Sequence, residues 1–200
     1  MARNASPPNN WWRSAGAALL AAFLTTSVPV HADPPEKALP CLVCHGAEGT
    51  SELETVPSLG AQKTAYNLVQ LFMFREGLRV GEPMNELMRT FSDDDLRTVA
   101  AFLTTLPKPK PSEDPVDTAR FENGRLLSVQ NRCVFCHRAD LSGQESVPRV
   151  GAQREDYLLK TLRDYKSGAR RGYEATMAEA LQSLADPQLV DLAHYLAHSR

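Results

Sequence analysis

Two five-residue motifs hold all four cysteines of the chain, CLVCH at Cys41 to His45 and CVFCH at Cys133 to His137. On a helical turn, residues i and i+3 lie on one face, so each motif would present two thiols together, with a histidine directly after the second. Four cysteines and two histidines could form disulfides, redox dithiols, a zinc site or attachment sites for haem. The choice depends on what surrounds the motifs.

The surroundings favour haem. Redox dithiols belong to strand-rich contexts, and no alternating strand pattern flanks either motif. Zinc-binding pairs lie within about 20 residues of each other, whereas 88 residues separate Cys44 from Cys133. Cys-x-x-Cys-His is the attachment signature of c-type haem, with two thioethers and an axial imidazole. We therefore predict two covalent haems, at Cys41, Cys44, Cys133 and Cys136, with His45 and His137 as iron ligands; two disulfides are the alternative.

The beginning of the chain has the order of a secretory signal. Arg3 and Arg13 precede the apolar run AGAALLAAFLTTSVPV, which is followed by His31 and Ala32. The run is about 16 residues, whereas a membrane-spanning helix needs roughly 20, so an uncleaved anchor is the weaker alternative. We expect residues 1–32 to be a signal peptide cleaved after about Ala32, and the mature protein to lie in the periplasm.

Most of the remaining chain is an internal repeat. PSLGAQKTAYNLVQLFMFREGLR follows the first motif and PRVGAQREDYLLKTLRDYKSGAR follows the second, with their shared residues at a constant offset of 91. A later segment repeats at an offset of 93. Between the copies lies LPKPKPSEDP, whose prolines favour an extended tether. The sequence predicts a first domain over 33–106, a linker over 107–115 and a second domain over 116–200.

The composition and charge of the chain exclude few classes of protein. With 42% hydrophobic and 23% charged residues, the chain is typical of a soluble globular protein. Residues 33–106 hold six Lys or Arg and eleven Asp or Glu, a net charge of −5, and residues 116–200 hold twelve and eleven, a net of +1. No basic stripe with interleaved aromatic residues suggests a nucleic-acid partner. The charge difference predicts two unlike ends, or simply a solvated surface.

The elements that position these residues are predicted to be helices. Apolar residues recur at helical spacing after each motif, and a glycine, Gly77 or Gly168, follows each stripe. Ser92 with Asp95 as a capping box, and Asp186 as an N-cap followed by Pro187 in the first turn, predict the starts of the two last helices. No convincing strand is present, so the predicted class is all-α. The two apolar stripes are Leu68, Val69 and Phe72, and Leu158, Leu159 and Leu162.

Each iron needs a sixth ligand or keeps an open position, and the candidate ligands are methionines. Met177 is the single methionine after the second motif, in a stretch predicted to be a loop, and Met84 is its repeat partner. Met73 lies on a helical stripe and Met88 aligns with Leu181, so both are predicted to be core residues. A thioether opposite an imidazole would raise the reduction potential and leave no vacant iron position.

Taken together, these motifs resemble the class I cytochromes c, and specifically the tandem dihaem cytochrome c4 family. The resemblance rests on C-x-x-C-H, P-x-(L/V)-G-A-Q-x-x-x-Y, G-x-R, a methionine and a capped last helix, all present twice. It implies that the carbonyls of Pro57 and Pro148 accept a hydrogen bond from the haem histidines. Arg79 and Arg170 would neutralise haem propionates, unless they are ordinary surface arginines.

One region departs from the family pattern. The second copy has a candidate amino-terminal helix over 117–132, whereas the first has only DPPEKALP, whose three prolines oppose a helix. The apolar face around Leu96, Val99 and Phe102 is therefore expected to be covered by the other copy or by a partner protein. His194 and His198 are predicted to be surface residues.

The expected function is transfer of single electrons between redox proteins, a donor and a terminal acceptor, with no substrate transformed. A dedicated subunit of a dehydrogenase or oxidase complex, peripherally associated with a membrane complex, is the alternative. A dihaem peroxidase would need an open iron site and is the weakest of the three.

Overall fold

A computed structural model describes residues 33–170 and 175–199, together with 1, 2 and 4. The predicted signal peptide lies almost entirely outside these residues. Residues 33–200 form one compact unit. Its described part contains a 3₁₀ helix at Glu36–Ala38 and the helices α1 Leu39–His45, α2 Thr64–Arg75, α3 Met84–Met88, α4 Asp93–Thr105, α5 Thr118–Gln130, α6 Cys133–His137, α7 Glu155–Ser167, α8 Ala175–Leu181 and α9 Asp186–His198.

The all-α prediction is confirmed. Across the described residues no strand forms, and one isolated bridge joins Gln144 to Val147. Two separate apolar clusters are buried, one built from residues between Ala38 and Leu106 and the other from residues between Leu127 and Ala197. In the first, α2 packs against α4; in the second, α5 and α7 pack against α9. None of the described helices is long and apolar enough to cross a membrane.

The last helix of each copy begins close to where it was predicted. Ser92 caps α4: its hydroxyl accepts from the Asp95 amide at 3.1 Å, and Asp95 accepts from the Ser92 amide at 2.9 Å. The prediction for α9 was wrong by one residue, because Asp186 is the first helical residue and not the cap. Its carboxylate instead receives two hydrogen bonds of 2.7 Å from Arg163 of α7.

The predicted face of α2 was also wrong. Leu71 and Phe74 are buried, whereas Phe72 is 42% exposed and Leu68 is half-buried. The segment LVQLFMF is apolar on nearly every side, so helical periodicity could not choose the core face. In the second copy the stripe was correct, with Leu158 and Leu162 buried on α7.

The missing first helix is replaced locally. The 3₁₀ helix packs against α4, and Ala38 shares one buried cluster with Leu96 and Val99. The expectation that another copy or a partner covers Leu96 and Val99 was therefore wrong, because the single turn of 3₁₀ helix is enough to bury them. Phe102 remains half-buried. In the second copy α5 crosses α9 closely. A methyl group added at Gly124 would lie only 2.1 Å from the Asp191 carbonyl oxygen.

The proline-rich segment between the copies forms neither helix nor strand, and it is docked onto the protein. Leu106 and Pro109 are buried, and the Ser112 amide donates to the Ala197 carbonyl at 3.0 Å.

Candidate haem sites

The first motif forms the short helix α1. Pro40 stands in its first turn, where a missing amide costs no hydrogen bond. Cys41 and Cys44 are free thiols one turn apart, and burial raises the pKa of the Cys41 thiol. Gly46, with φ of 84°, ends the helix directly after His45. The two thiols and the imidazole are therefore presented from one rigid turn.

His45 has a fixed orientation. Its Nδ1 lies 2.7 Å from the Pro57 carbonyl oxygen, and the residue is 6% exposed. A carbonyl can only accept, so Nδ1 carries the proton and Nε2 keeps a free lone pair. Burial lowers the pKa of the ring, although the hydrogen bond to Pro57 opposes that shift. The neutral imidazole is the form that binds a metal.

The second motif repeats this arrangement on α6. His137 is buried, and its Nδ1 lies 2.9 Å from the Pro148 carbonyl oxygen. Burial lowers the pKa of this ring as well, and raises that of the Cys133 thiol. Cys133 and Cys136 are free thiols. Both copies thus leave Nε2 of a buried neutral histidine available beside two thiols.

The methionines fall into two classes. Met84 begins α3 and Met177 lies in α8, so the predicted loops are short helices. Each is half-buried against the apolar cluster of its own copy. Met88 is 1% exposed and its repeat partner Leu181 is 2% exposed, which agrees with core roles for both. Met73 is also buried.

The two copies meet through reciprocal glutamine contacts. The Gln62 side chain donates to the Arg149 carbonyl at 3.0 Å and accepts from the Arg149 amide at 2.7 Å. Gln153 makes the matching pair with Ser58, at 2.9 and 2.8 Å. Since Gln62 aligns with Gln153 and Ser58 with Arg149, the junction has the form of a two-fold interface within one chain.

Two arginines extend this symmetry. Arg79 donates to Tyr157 of the other copy at 3.3 Å and to Gln70 at 2.7 Å. Arg170 donates to Tyr66 of the other copy and to Gln70, both at 3.0 Å. Arg170 is 7% exposed, so its surface-residue alternative was wrong. The structure therefore places Arg79 and Arg170 together at the junction.

This junction has an excess of positive charge. Burial acts to raise the pKa of the Tyr157 phenol, but the charges of Arg170 and Arg79 outweigh it and lower that pKa to about 7. Among the described residues, no carboxylate lies within 4.0 Å of either guanidinium. The two guanidinium groups are thus suited to bind an anionic group.

The repeat alignment contained some of these residues without revealing their role. Gln62, Gln153, Tyr66 and Tyr157 recur at the constant offset, which was a usable signal. Arg149 replaces Ser58 of the first copy, so no repeat argument could have found it.

The prediction for the last two histidines was wrong. His194 is buried; its Nδ1 lies 3.0 Å from Glu155, and its Nε2 accepts from the Asp117 amide at 3.0 Å. His198 contacts the carbonyls of His194 and Asp114 at 2.8 and 3.2 Å. Because Nε2 of His194 accepts, its proton is on Nδ1, facing Glu155. The cluster thus ties the linker to α7 and α9 by hydrogen bonds.

Comparisons with known proteins agree with this description. No protein-family model matches the chain. It is 30% identical over 165 residues to cytochrome c4 of Thiocapsa roseopersicina, covering 78% of this chain and 85% of that protein. It is 26% identical over 171 residues to the thiosulfate dehydrogenase electron acceptor of Stutzerimonas stutzeri, covering 80% and 79%.

A solved structure has the same fold. Reduced recombinant cytochrome c4 from Pseudomonas stutzeri superposes with a TM-score of 0.75 at 23% identity, covering 82% of this chain and 95% of that one. This likeness confirms the predicted fold of two tandem cytochrome c domains. The chain belongs to the cytochrome c4 family and is a dihaem electron-transfer cytochrome, a carrier and not an enzyme.

Proposed function

We propose that each motif holds one haem c. Cys41 and Cys44 would form the thioethers of the first haem, and Cys133 and Cys136 those of the second. The observation that carries the proposal is the pair of histidine-to-proline hydrogen bonds, at 2.7 and 2.9 Å, which leave Nε2 of His45 and His137 free for iron. When bound, the haem supplies one-electron chemistry; the protein supplies attachment, ligands and a pocket of low polarity.

Met84 and Met177 are the proposed sixth ligands. Their half-buried positions beside the two cores support this assignment, as do the burial of Met88 and the alignment of the two copies. With both axial positions filled, neither iron would offer a site for peroxide, which argues against a peroxidase.

Arg79 and Arg170 are proposed to neutralise haem propionates. The support is their convergence at the junction without a carboxylate partner among the described residues, together with the strongly lowered pKa of Tyr157. A propionate would supply the missing negative charge and accept charge-assisted hydrogen bonds. The carbonyl groups of Pro57 and Pro148 would orient the two histidines by accepting their hydrogen bonds.

We propose that the protein is exported, loses residues 1–32 and works in the periplasm, with haem domains over 33–106 and 116–200 joined by 107–115. It would accept electrons from one redox protein and deliver them to another. The separate apolar clusters, and the proline-rich segment without helix or strand between them, support these boundaries.

A reductive titration tests the central function. We expect the protein to take up two electrons and to show a methionine-to-iron absorption band on both oxidised haems. A protein that lacks the band on either haem and turns over hydrogen peroxide would contradict the carrier assignment.

A second candidate role is that of a dedicated acceptor for a dehydrogenase, associated peripherally with a membrane complex. The similarity to a thiosulfate dehydrogenase electron acceptor favours this role. Stable co-purification with a dehydrogenase would support it, whereas a protein that is always isolated alone and reacts with several donors would be a general carrier.

A further inference from the structure

Arg149 is a buried cation that the haem-site proposals do not use. It lies between α6 and α7 and is 2% exposed. Nη1 donates to the Gly151 carbonyl at 2.5 Å, and Nη2 donates to the Ser58 carbonyl of the other copy at 3.4 Å. Its Nε has no hydrogen-bond partner among the described residues. The side chain is thus enclosed but only partly satisfied.

Its charge persists at neutral pH. Burial lowers the pKa of Arg149, but only to about 10, so the guanidinium stays protonated. No carboxylate of the described residues lies within 4.0 Å of it. An enclosed charge without an opposite charge nearby acts strongly on its surroundings, because little water screens it.

The position of Arg149 relates it to both haem histidines. It directly follows Pro148, whose carbonyl oxygen accepts a hydrogen bond from Nδ1 of His137. Its guanidinium reaches the carbonyl of Ser58, which directly follows Pro57, the acceptor for His45. One cation therefore contacts both backbone segments that orient the histidines.

The repeat shows that the loop does not need this charge to fold. Ser58 occupies the equivalent position in the first copy, and its backbone is held by Gln153 as that of Arg149 is held by Gln62. A neutral side chain thus suffices for the same local structure. The second copy therefore has a buried positive charge at Arg149 that the first copy lacks.

We propose that Arg149 is a shared electrostatic residue that holds up the reduction potentials of both haems. A fixed positive charge favours the iron state with the lower positive charge, which is the reduced state. It acts by its charge and touches neither iron. This inference rests on the proposed attachment of two haems.

The test uses the mature, haem-loaded protein and Arg149→Gln. We expect the equilibrium constant for reduction to fall about tenfold at each haem, equivalent to about 59 mV for a one-electron couple, in a potentiometric titration. Arg149→Lys retains the charge and should keep both potentials near the wild-type values. Arg138→Gln is the matched control, because it removes an exposed arginine directly after His137 and should shift neither potential appreciably.

Each outcome is decisive. Unchanged potentials in Arg149→Gln, a shift at one haem alone, or an equal fall in Arg149→Lys would overturn the inference. Should Arg149→Gln not fold, Arg149→Met provides a second charge-free side chain of similar length, with the same expected fall. Loss or absence of haem, measured by mass on the same samples, would instead count against the proposed haem sites.

Discussion

Gln62 and Gln153 make the same pair of backbone hydrogen bonds in opposite directions, each one clamping the loop of the other copy. Both side chains are buried, with 4% and 5% exposure. The junction is therefore held by amide pairs whose loss would leave backbone groups without partners.

Replacing either glutamine by alanine should lower the free energy of unfolding by about 1–3 kcal/mol, because buried backbone donors and acceptors become unsatisfied. Denaturant unfolding of Gln62→Ala and Gln153→Ala measures this. Gln130→Ala, at an exposed position on α5, is the control. Losses no larger than in the control would mean that the copies do not depend on these contacts.

Asp156 makes the junction sensitive to acid. Burial acts to raise the pKa of its carboxyl, but hydrogen bonds from Arg154, Thr55 and Tyr157 lower that pKa below its ordinary value. The Thr55 bond, at 3.1 Å, comes from the other copy. A lowered folded pKa means that the carboxylate stabilises the protein fully above pH of about 4 and progressively less as acid protonates it.

We therefore expect wild type to be more stable than Asp156→Asn at pH 7, with the difference shrinking below pH of about 4. Thermal unfolding across that range measures it. Asp94→Asn, at a side chain that is 92% exposed, should show little difference at any pH. A gap between wild type and Asp156→Asn that is independent of pH would refute the role of the carboxylate charge.

The repeat alignment distinguishes the methionine ligand from the core methionine. Met84→Ala should abolish the methionine-to-iron band of one haem, lower its potential and open its iron to carbon monoxide. Met88→Ala should retain the band and cost about 2–5 kcal/mol of stability, because its side chain is 1% exposed. The reverse pattern would require a new assignment of the first iron site.

Gly124 permits the close crossing of α5 and α9. A methyl group there would approach the Asp191 carbonyl oxygen to 2.1 Å, so Gly124→Ala must separate the helices. We expect a loss of roughly 1–3 kcal/mol, although alanine favours a helix by up to about 1 kcal/mol. Val129→Ala, at a 56% exposed position on the same helix, should have a small effect. A stabilised Gly124→Ala would show that the crossing is looser than the structure indicates.

The sequence was most informative where chemistry fixes spacing. Cys-x-x-Cys-His and the cap at Ser92 are local patterns and the repeat has a constant offset, so they predicted the helices, whereas the contact of each histidine with its proline was expected only from the resemblance to the cytochrome c4 family. Residues whose environment depends on distant contacts were not predictable. His194 is buried because α5 and α7 cover it, and Phe72 is exposed because tertiary packing chose the other face of an apolar helix. Arg149 has a charge-free repeat partner, so only the structure could reveal it.

Two covalently attached haems are the central claim, and the intact mass of the denatured mature protein tests it most directly. We predict a mass that exceeds the polypeptide by two haems, falling to one haem when the cysteines of either motif are changed to serine. A wild-type mass with no added haem, or with only one, would contradict the account.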